Sequence, residues 1–143
     1  MIIKQLSVFL ENRPGRLHQV LSILAEHDVN IVALSLADSS DYGMLRMMVS
    51  DPEKAKDALK ENDFSAMLTD VICIGVDHAV GSLQNAMGVL AAAGIDVEYM
   101  YAFANADKAA AVLKCSSLQD AIEVLTKSGA KIYQEKDVYL KEM

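Results

Sequence analysis

Two apolar patterns of different period meet at Glu11-Asn12-Arg13-Pro14-Gly15-Arg16-Leu17. Before this stretch, residues 3–10 follow the alternation of a half-buried strand. After it, apolar residues recur at the spacing of a helix that packs one stripe against a sheet: Leu17, Val20, Leu21, Leu24 and Ala25. The Pro14-Gly15 pair is typical of a tight turn. The stretch therefore predicts a strand-to-helix corner.

A corner of this kind can bind an anion. The first N–H groups of a helix have no intrahelical acceptor and lie at the positive end of the helix dipole, so they can hold a carboxylate. The sequence leaves a plainer alternative open, in which Pro14-Gly15 only makes the turn and Arg13 and Arg16 are solvated.

Composition limits the classes of function. The 143 residues are 52% hydrophobic, which is enough for a core, and the net charge of -7 argues against a nucleic-acid surface because no basic patch offsets it. No apolar run approaches the length of a membrane span, and Met1 leads into a strand rather than a signal core. We therefore expect a cytoplasmic protein. Cys73 and Cys115 lie in apolar runs without metal or Cys-x-x-Cys spacing, which indicates reduced core residues.

The first half of the chain predicts strand, helix, strand, strand, helix, strand. In the first strand, the predicted buried face carries Leu6, Val8 and Leu10, and the opposite face carries Gln5, Ser7 and Phe9. The later segments are a helix over residues 16–27, a hairpin of residues 30–37 and 42–49, a helix with Asp51 as N-cap and Pro52 first, and a strand over residues 65–69. This order is the ferredoxin-like βαββαβ arrangement.

The pattern then repeats. A shift of 66 positions aligns Gly15 with Gly81, and it also aligns Leu17 with Leu83, Leu24 with Leu90, Ser50 with Ser116, Ala55 with Ala121 and Leu59 with Leu125. The sequence therefore predicts an α+β protein of two tandem ferredoxin-like domains, residues 1–70 and 71–143. Because almost no linker separates them, we expect the domains to pack side by side with antiparallel sheets.

These residues resemble the ACT domain, a small regulatory module that binds amino acids in metabolic enzymes. The resemblance is carried by Leu10-Glu11-Asn12-Arg13-Pro14-Gly15-Arg16-Leu17 and by Leu24-Ala25-Glu26-His27-Asp28-Val29-Asn30-Ile31. The second copy, residues 77–83 and 94–97, matches more weakly. Together the two cover nearly the whole chain, which looks like a stand-alone tandem ACT protein without a catalytic domain.

The resemblance implies where a ligand binds. ACT domains pair through their sheets into a continuous eight-stranded sheet, and effector amino acids bind at the interface near the strand-to-helix loop. Carried over to this chain, the ligand-binding residues are Glu11, Asn12, Arg13, Pro14, Gly15, Arg16, Leu17 and Asn30. The amides of Asn12 and Asn30, expected at the same sheet edge, suit an ammonium and a carboxylate, and N–H groups around Arg13, Gly15 and Arg16 can hold the carboxylate. The alternatives are a turn residue for Asn12 and a strand-entry cap for Asn30.

The second copy departs from this pattern. His78 replaces Asn12, Val80 replaces Pro14 and Asp96 replaces Asn30. This copy has lost its own ligand, or it forms the other wall of the first site through Tyr99 and Tyr101, whose rings would pack against a ligand side chain. The alternative for both tyrosines is a half-buried place in the sheet.

The sequence favours a non-catalytic protein with no metal and no cofactor. His18, His27 and His78 lack the spacing of a metal site or a nucleophile-base pair, and no glycine-rich phosphate loop is present. His18 and His27 are interpreted as solvated helix residues. Asp77 and His78, adjacent in a strand, would point to opposite faces.

Two classes of function remain. The first is a regulatory sensor that binds a free amino acid and acts allosterically, as a homodimer, on a metabolic enzyme or regulator. The second is a structural or protein-interaction module that keeps the fold without a ligand. Neither reading includes nucleic acid or membrane as a partner. The tail from Lys136, with Val138, Tyr139 and Leu140, is expected to be an extra strand or an arm on a partner.

Overall fold

The order of strands and helices follows the apolar periodicity of the sequence. In the computed structural model, which describes residues 1–38, 41–77, 79–105 and 108–139, the first elements are β1 (Ile3–Glu11), α1 (Arg16–Glu26), β2 (Ile31–Asp38), β3 (Tyr42–Val49) and α2 (Pro52–Glu61). They are followed by β4 (Ser65–Asp77), α3 (Ser82–Ala92), β5 (Val97–Asn105), β6 (Lys108–Cys115), α4 (Leu118–Lys127), β7 (Lys131–Ile132) and α5 (Glu135–Tyr139). The predicted ferredoxin-like repeats are confirmed.

The chain divides into two units. The first unit comprises Lys4–Thr69, and the second comprises Met1–Ile3 with residues 70–139 of the described chain. Residues 65–69 of β4 belong to the first unit and residues 70–77 to the second, so the fourth strand of one repeat and the first strand of the next are continuous.

The first unit has the strand order β2-β3-β1-β4. β3 is antiparallel to both of its neighbours: Met47 lies opposite Leu6 of β1 and opposite Leu34 of β2. β1 and β2 therefore run in the same direction, as a strand-helix-strand crossover requires. The helices cover the face that carries Leu6 and Leu45, and that face holds the core of this unit.

The two helices of the first unit bury their apolar stripes. In α1, Val20, Ile23 and Leu24 are buried, whereas the predicted stripe residue Ala25 is exposed. In α2, the predicted inward residues Ala55, Ala58 and Leu59 are all buried. The Asp51 carboxylate accepts a hydrogen bond from the Lys54 N–H at 3.2 Å, which confirms the predicted N-cap.

The prediction that only one face of β1 is buried is wrong. Gln5 and Ser7 are buried on the other face, and only Phe9 of the predicted polar face is exposed. The Gln5 amide donates to the Ser7 hydroxyl at 3.0 Å, and the Ser7 and Thr69 hydroxyl oxygens are 3.0 Å apart. These hydrogen bonds satisfy polar groups that burial would otherwise leave without partners.

The second unit repeats the first in detail. Its strand order is β5-β6-β4, with β7 paired to β4. A register shift interrupts the β5–β6 ladder between Val97 and Tyr99, and a shift at the repeat-related position interrupts β2–β3. Ser117 caps α4 as Asp51 caps α2. The described end of the chain is the helix α5, so the expectation of an extra strand there is wrong; Leu140 lies outside the described residues.

Both cysteines are buried and reduced, and Cys115 packs into the core of the second unit. Burial raises the pKa of the Cys115 thiol above its ordinary value of 9.0, with the negative charge of Glu98 as a second cause. The folded chain therefore keeps this proton at a pH where the unfolded chain releases it.

Alkaline pH is accordingly expected to cost the protein stability through Cys115. The contribution of the neutral thiol is complete below its ordinary pKa and is lost as the pH rises above it. Urea unfolding of wild type and Cys115→Ala from pH 7 to 10 measures this, and the wild type should lose more stability. Parallel pH profiles for the two proteins would contradict this prediction, because they would show that the pKa of the Cys115 thiol is the same in the folded and unfolded chains.

Candidate functional site

The corner between β1 and α1 is held by its own backbone. The Arg13 N–H donates to the Glu11 carbonyl at 2.8 Å, and the Arg16 N–H donates to the Arg13 carbonyl at 3.3 Å. Gly15 precedes the helix with φ +90°, in the left-handed region. Two of the N–H groups expected to hold a carboxylate therefore donate within the turn. The N–H groups of Leu17 and His18 follow in the first turn of α1, where no carbonyl of the same helix accepts a hydrogen bond from them.

Charges surround this corner. The Glu11 carboxylate lies 3.1 Å from Nε of Arg13 and 3.7 Å from a terminal nitrogen of Arg16. Glu11 and Arg13 are both largely exposed, so this ion pair contributes little stability and can be rearranged by an incoming ligand. The corner thus offers a carboxylate and a guanidinium side by side, which matches the two charges of an amino acid.

Asn12 lies where β1 leaves the sheet. Its N–H donates to the Asp41 carbonyl at 3.3 Å. Its side-chain oxygen is 3.6 Å from the position that a Cβ on Gly43 would occupy, and Leu36 Cδ1 is 3.2 Å from the same position. The absence of a side chain on Gly43 therefore leaves room for the Asn12 amide beside the end of β2.

Arg16 is not solvated, so that part of the plainer alternative is wrong. Its guanidinium carbon lies 4.2 Å from the centre of the Phe64 ring, and its side chain is only 20% exposed. One terminal nitrogen donates to Gln19 at 2.8 Å, while Nε is buried without a hydrogen-bond partner. This cation–π contact anchors the first turn of α1 to the loop before β4. Sequence periodicity gave no signal for it, because Phe64 is 48 positions away from Arg16.

The expectation that Asn12 and Asn30 share one edge of the sheet is wrong. Asn12 lies beside Asp41 at the start of β3, whereas the Asn30 N–H donates to the Ser50 hydroxyl just beyond the end of β3. Asp41 and Ser50 flank β3 at its two ends, and at the rise of a strand these ends are about 30 Å apart. The reason is that β1 and β2 run in the same direction, so the end of β1 and the start of β2 lie at opposite edges.

The second repeat forms the same corner with different side chains. Gly81 has φ +88°, the Ala79 N–H donates to the Asp77 carbonyl at 2.8 Å, and the Ser82 N–H donates to the Ala79 carbonyl at 3.2 Å. Val80, in the place of Pro14, is fully exposed. His78, which replaces Asn12 in the second repeat, lies outside the described residues.

Tyr99 and Tyr101 lie on β5 of the second unit. Tyr99 is opposite Lys114 and Tyr101 is opposite Val112 in the β5–β6 ladder. Both are partly buried, as the sheet-residue alternative expects. Their role as a wall of the first site stays a prediction.

The structure describes two of the three histidines. His18 is exposed on α1, while His27 is half-buried with a ring nitrogen 2.9 Å from the Ile23 carbonyl, so the interpretation of His27 as solvated is wrong. No group of three metal-ligating side chains occurs among residues 1–38, 41–77, 79–105 and 108–139. None of the helices in this part of the chain is long and apolar enough to cross a membrane.

Gly15 and Gly88 form a matched pair for testing the corner. A Cβ would meet no atom within 4 Å at either residue, but Gly15 has φ +90° and Gly88 lies within α3. Gly15→Ala should therefore cost about 1–2 kcal/mol from backbone strain, whereas Gly88→Ala should stabilise by about 1 kcal/mol. Urea denaturation of both variants gives the comparison. Equal effects of the same sign would contradict the left-handed corner.

Comparisons with known proteins agree with this geometry. A family model described as an ACT domain pair matches residues 1–142. A crystal structure of a protein from Bacteroides thetaiotaomicron is 43% identical, covers 97% of this chain and 96% of that chain, and has a TM-score of 0.93. No curated protein sequence matches the chain.

More distant structures share the fold alone. The ligand-free regulatory subunit of aspartate kinase from Thermus thermophilus is 14% identical over 89% of this chain and 96% of that chain, with a TM-score of 0.63. Aspartate kinase from Synechocystis is 12% identical over 98% of this chain and 26% of that chain, with a TM-score of 0.62. The resemblance carried by the Asn-Arg-Pro-Gly corner is thus confirmed along nearly the whole sequence. The chain belongs to the family of ACT domain pairs.

Proposed function

We propose that this protein is a non-catalytic sensor that binds a free amino acid at the β1–α1 corner of its first unit. ACT domain pairs are typical of amino-acid-sensing regulatory modules, and one of the proteins with this fold is a regulatory subunit of aspartate kinase. The receiving partner is accordingly a metabolic enzyme or regulator whose activity depends on the state of this protein.

The observation that carries the proposal is the chemistry at the corner. Gly15 leaves its surroundings open, with no atom within 4 Å of a Cβ placed on it. The first-turn amides of Leu17 and His18 and the Arg13 guanidinium suit a carboxylate. The Glu11 carboxylate and the Asn12 side-chain oxygen suit an ammonium. Both ends of an amino acid backbone thus find partners within one short segment.

A second copy of the chain would complete this site. Among the described residues, β2 is an edge strand of its unit, and Leu34 and Leu36 on it are 46% and 48% exposed. A two-fold axis beside β2 would pair the two β2 strands antiparallel and would cover these side chains. That pairing brings the start of one β2 to the end of the other. Asn30 of the second copy would then lie near Asn12 of the first, although the two are far apart within one copy.

A thermal-shift screen against the twenty amino acids tests the proposal. A ligand present at about a hundred times its dissociation constant adds about 2.7 kcal/mol to the free energy of unfolding. We expect a selective rise in melting temperature that Asn12→Ala reduces, while Gln119→Ala, an exposed substitution on α4, preserves it. A rise of the same size in Asn12→Ala would place the ligand elsewhere.

The alternative function is a protein-interaction module without a ligand. The exposed leucines of β2 favour it, because an edge strand with apolar side chains can pair with another protein. Absence of a thermal shift with all twenty amino acids would contradict the sensor and favour this alternative.

A further inference from the structure

The second unit contains a cavity that the proposed function does not use. The cavity has a volume of about 420 Å³ and lies between the end of β4, the first turns of α3 and the connection from α4 to β7. Its polar lining includes Asp77, Ser82, Asn85, Lys131 and Tyr133. All of these residues belong to the second unit, so the cavity is separate from the Asn12 corner.

The repeat-related place in the first unit carries two larger side chains. At the shift of 66 positions, Ser82 corresponds to Arg16 and Ala130 corresponds to Phe64. Arg16 stacks on Phe64 at 4.2 Å, and a smaller cavity of about 370 Å³ remains beside the pair. In the second unit both large side chains are replaced by small ones, and both small residues line the cavity. The second repeat therefore has small side chains where the first repeat has the stacked pair.

The wall formed by Tyr133 is packed closely. Tyr133 is buried, and its hydroxyl lies where a Cβ on Gly75 would come within 2.8 Å. The backbone N–H of Tyr133 donates to the Cys73 carbonyl at 2.8 Å. The Lys131 ammonium lies 5.5 Å from the centre of the Tyr133 ring. A glycine thus makes room for the ring, and the ring in turn holds a cation beside the cavity.

The lining carries one group of each charge together with neutral hydrogen-bonding groups. Asp77 can accept from an ammonium, Lys131 can donate to a carboxylate, and Ser82 and Asn85 can do either. Ala86 and Val89 of α3 add an apolar wall. A volume of this size lies within the range of small-molecule sites, about 300–1,000 Å³. We propose that the cavity is a second ligand site, for a small zwitterion of amino-acid size.

Backbone NMR of assigned Asn12→Ala protein tests this site apart from the corner. The probes are the twenty amino acids, with acetate and methylammonium as ligands of a single charge. We expect saturable shift changes at the amides of Gly75, Gly129 and Ala130, with acetate and methylammonium at least about tenfold weaker. The variant Ser82→Arg/Ala130→Phe, which we call the plugged variant, places two large side chains in the cavity and should lose these changes.

Lys131→Ala gives an independent test that leaves the cavity walls in place. Lys131 is exposed, so the variant should fold, and we expect at least about tenfold weaker binding of the amino acid that responds. Lys127→Ala removes an exposed lysine of α4 outside the cavity and should bind as the parent does. The proposal is overturned if no probe shifts the three amides, if shifts persist in the plugged variant, or if the two lysine variants behave alike.

Discussion

Phe64→Ala is expected to lower the free energy of unfolding by about 3–5 kcal/mol. The Phe64 side chain is only 6% exposed and belongs to the core of the first unit, so its removal leaves a cavity. The loss extends to Arg16, whose guanidinium lies 4.2 Å from the ring centre and whose Nε is buried without a hydrogen-bond partner. Without the ring, the partly buried Arg16 guanidinium loses its cation–π contact.

Urea denaturation followed by circular dichroism measures this effect. Met67→Ala is the control, because Met67 lies three residues after Phe64, in β4, but is 52% exposed and should change stability by no more than about 0.5 kcal/mol. A Phe64→Ala protein as stable as the Met67→Ala control would show that the Arg16–Phe64 stack does not hold α1 to the loop before β4.

Gly75→Val is expected to destabilise the second unit by about 1–3 kcal/mol through overpacking. A Cβ at Gly75 would lie 2.8 Å from the Tyr133 hydroxyl oxygen and 3.0 Å from the ring carbon that bears it. The ring cannot move freely, because Tyr133 is buried and its backbone N–H donates a hydrogen bond to the Cys73 carbonyl. Valine carries two methyl groups beyond the Cβ, so its steric overlap with Tyr133 is larger than that of a Cβ alone.

A double-mutant cycle with Tyr133→Phe isolates the contact. Removal of the hydroxyl removes the nearest atom, so Gly75→Val should cost less in the Tyr133→Phe protein than in wild type. Additive free energies of unfolding would show that valine is disfavoured at position 75 for a reason other than Tyr133.

Local patterns in the sequence were sufficient for the elements and their repetition. The Asp51-Pro52 pair marks a helix start by capping chemistry that involves only the next few residues. Gly15 and Gly81 mark the two corners because both need φ near +90°. The 66-position shift relates hydrogen bonds as well as residues: Ser50 and Ser116 accept from the N–H groups of Asn30 and Asp96 at 2.9 and 3.0 Å.

The errors came where a side chain meets a distant segment. Ser7 is buried on the face predicted to be exposed because Thr69, 62 positions away, supplies a hydrogen-bond partner. Arg16 packs on Phe64 for the same kind of reason. The cavity could have been suspected from the replacement of Arg16 by Ser82 and Phe64 by Ala130, but only if the pair in the first unit was known to be in contact.

The position of Asn30 was predicted wrongly for a different reason, the direction of the strands. The resemblance to ACT domains implied that Asn12 and Asn30 act together, but strand direction separates them within one unit. The topology was available from the predicted βαβ crossover, since two strands that run in the same direction place the end of the first strand and the start of the second at opposite edges. If both amides contact one ligand, they must come from different copies of the chain.

A complementation experiment tests this central claim most directly. Asn12→Ala and Asn30→Ala chains carrying different tags are co-expressed, the mixed dimer is purified through both tags, and amino-acid binding is measured by calorimetry. Each mutant homodimer should bind at least about tenfold more weakly than wild type. The mixed dimer should regain wild-type affinity at about one of its two sites, because that site has both asparagines. A mixed dimer that binds as weakly as the homodimers, or chains that do not co-purify, would contradict the account.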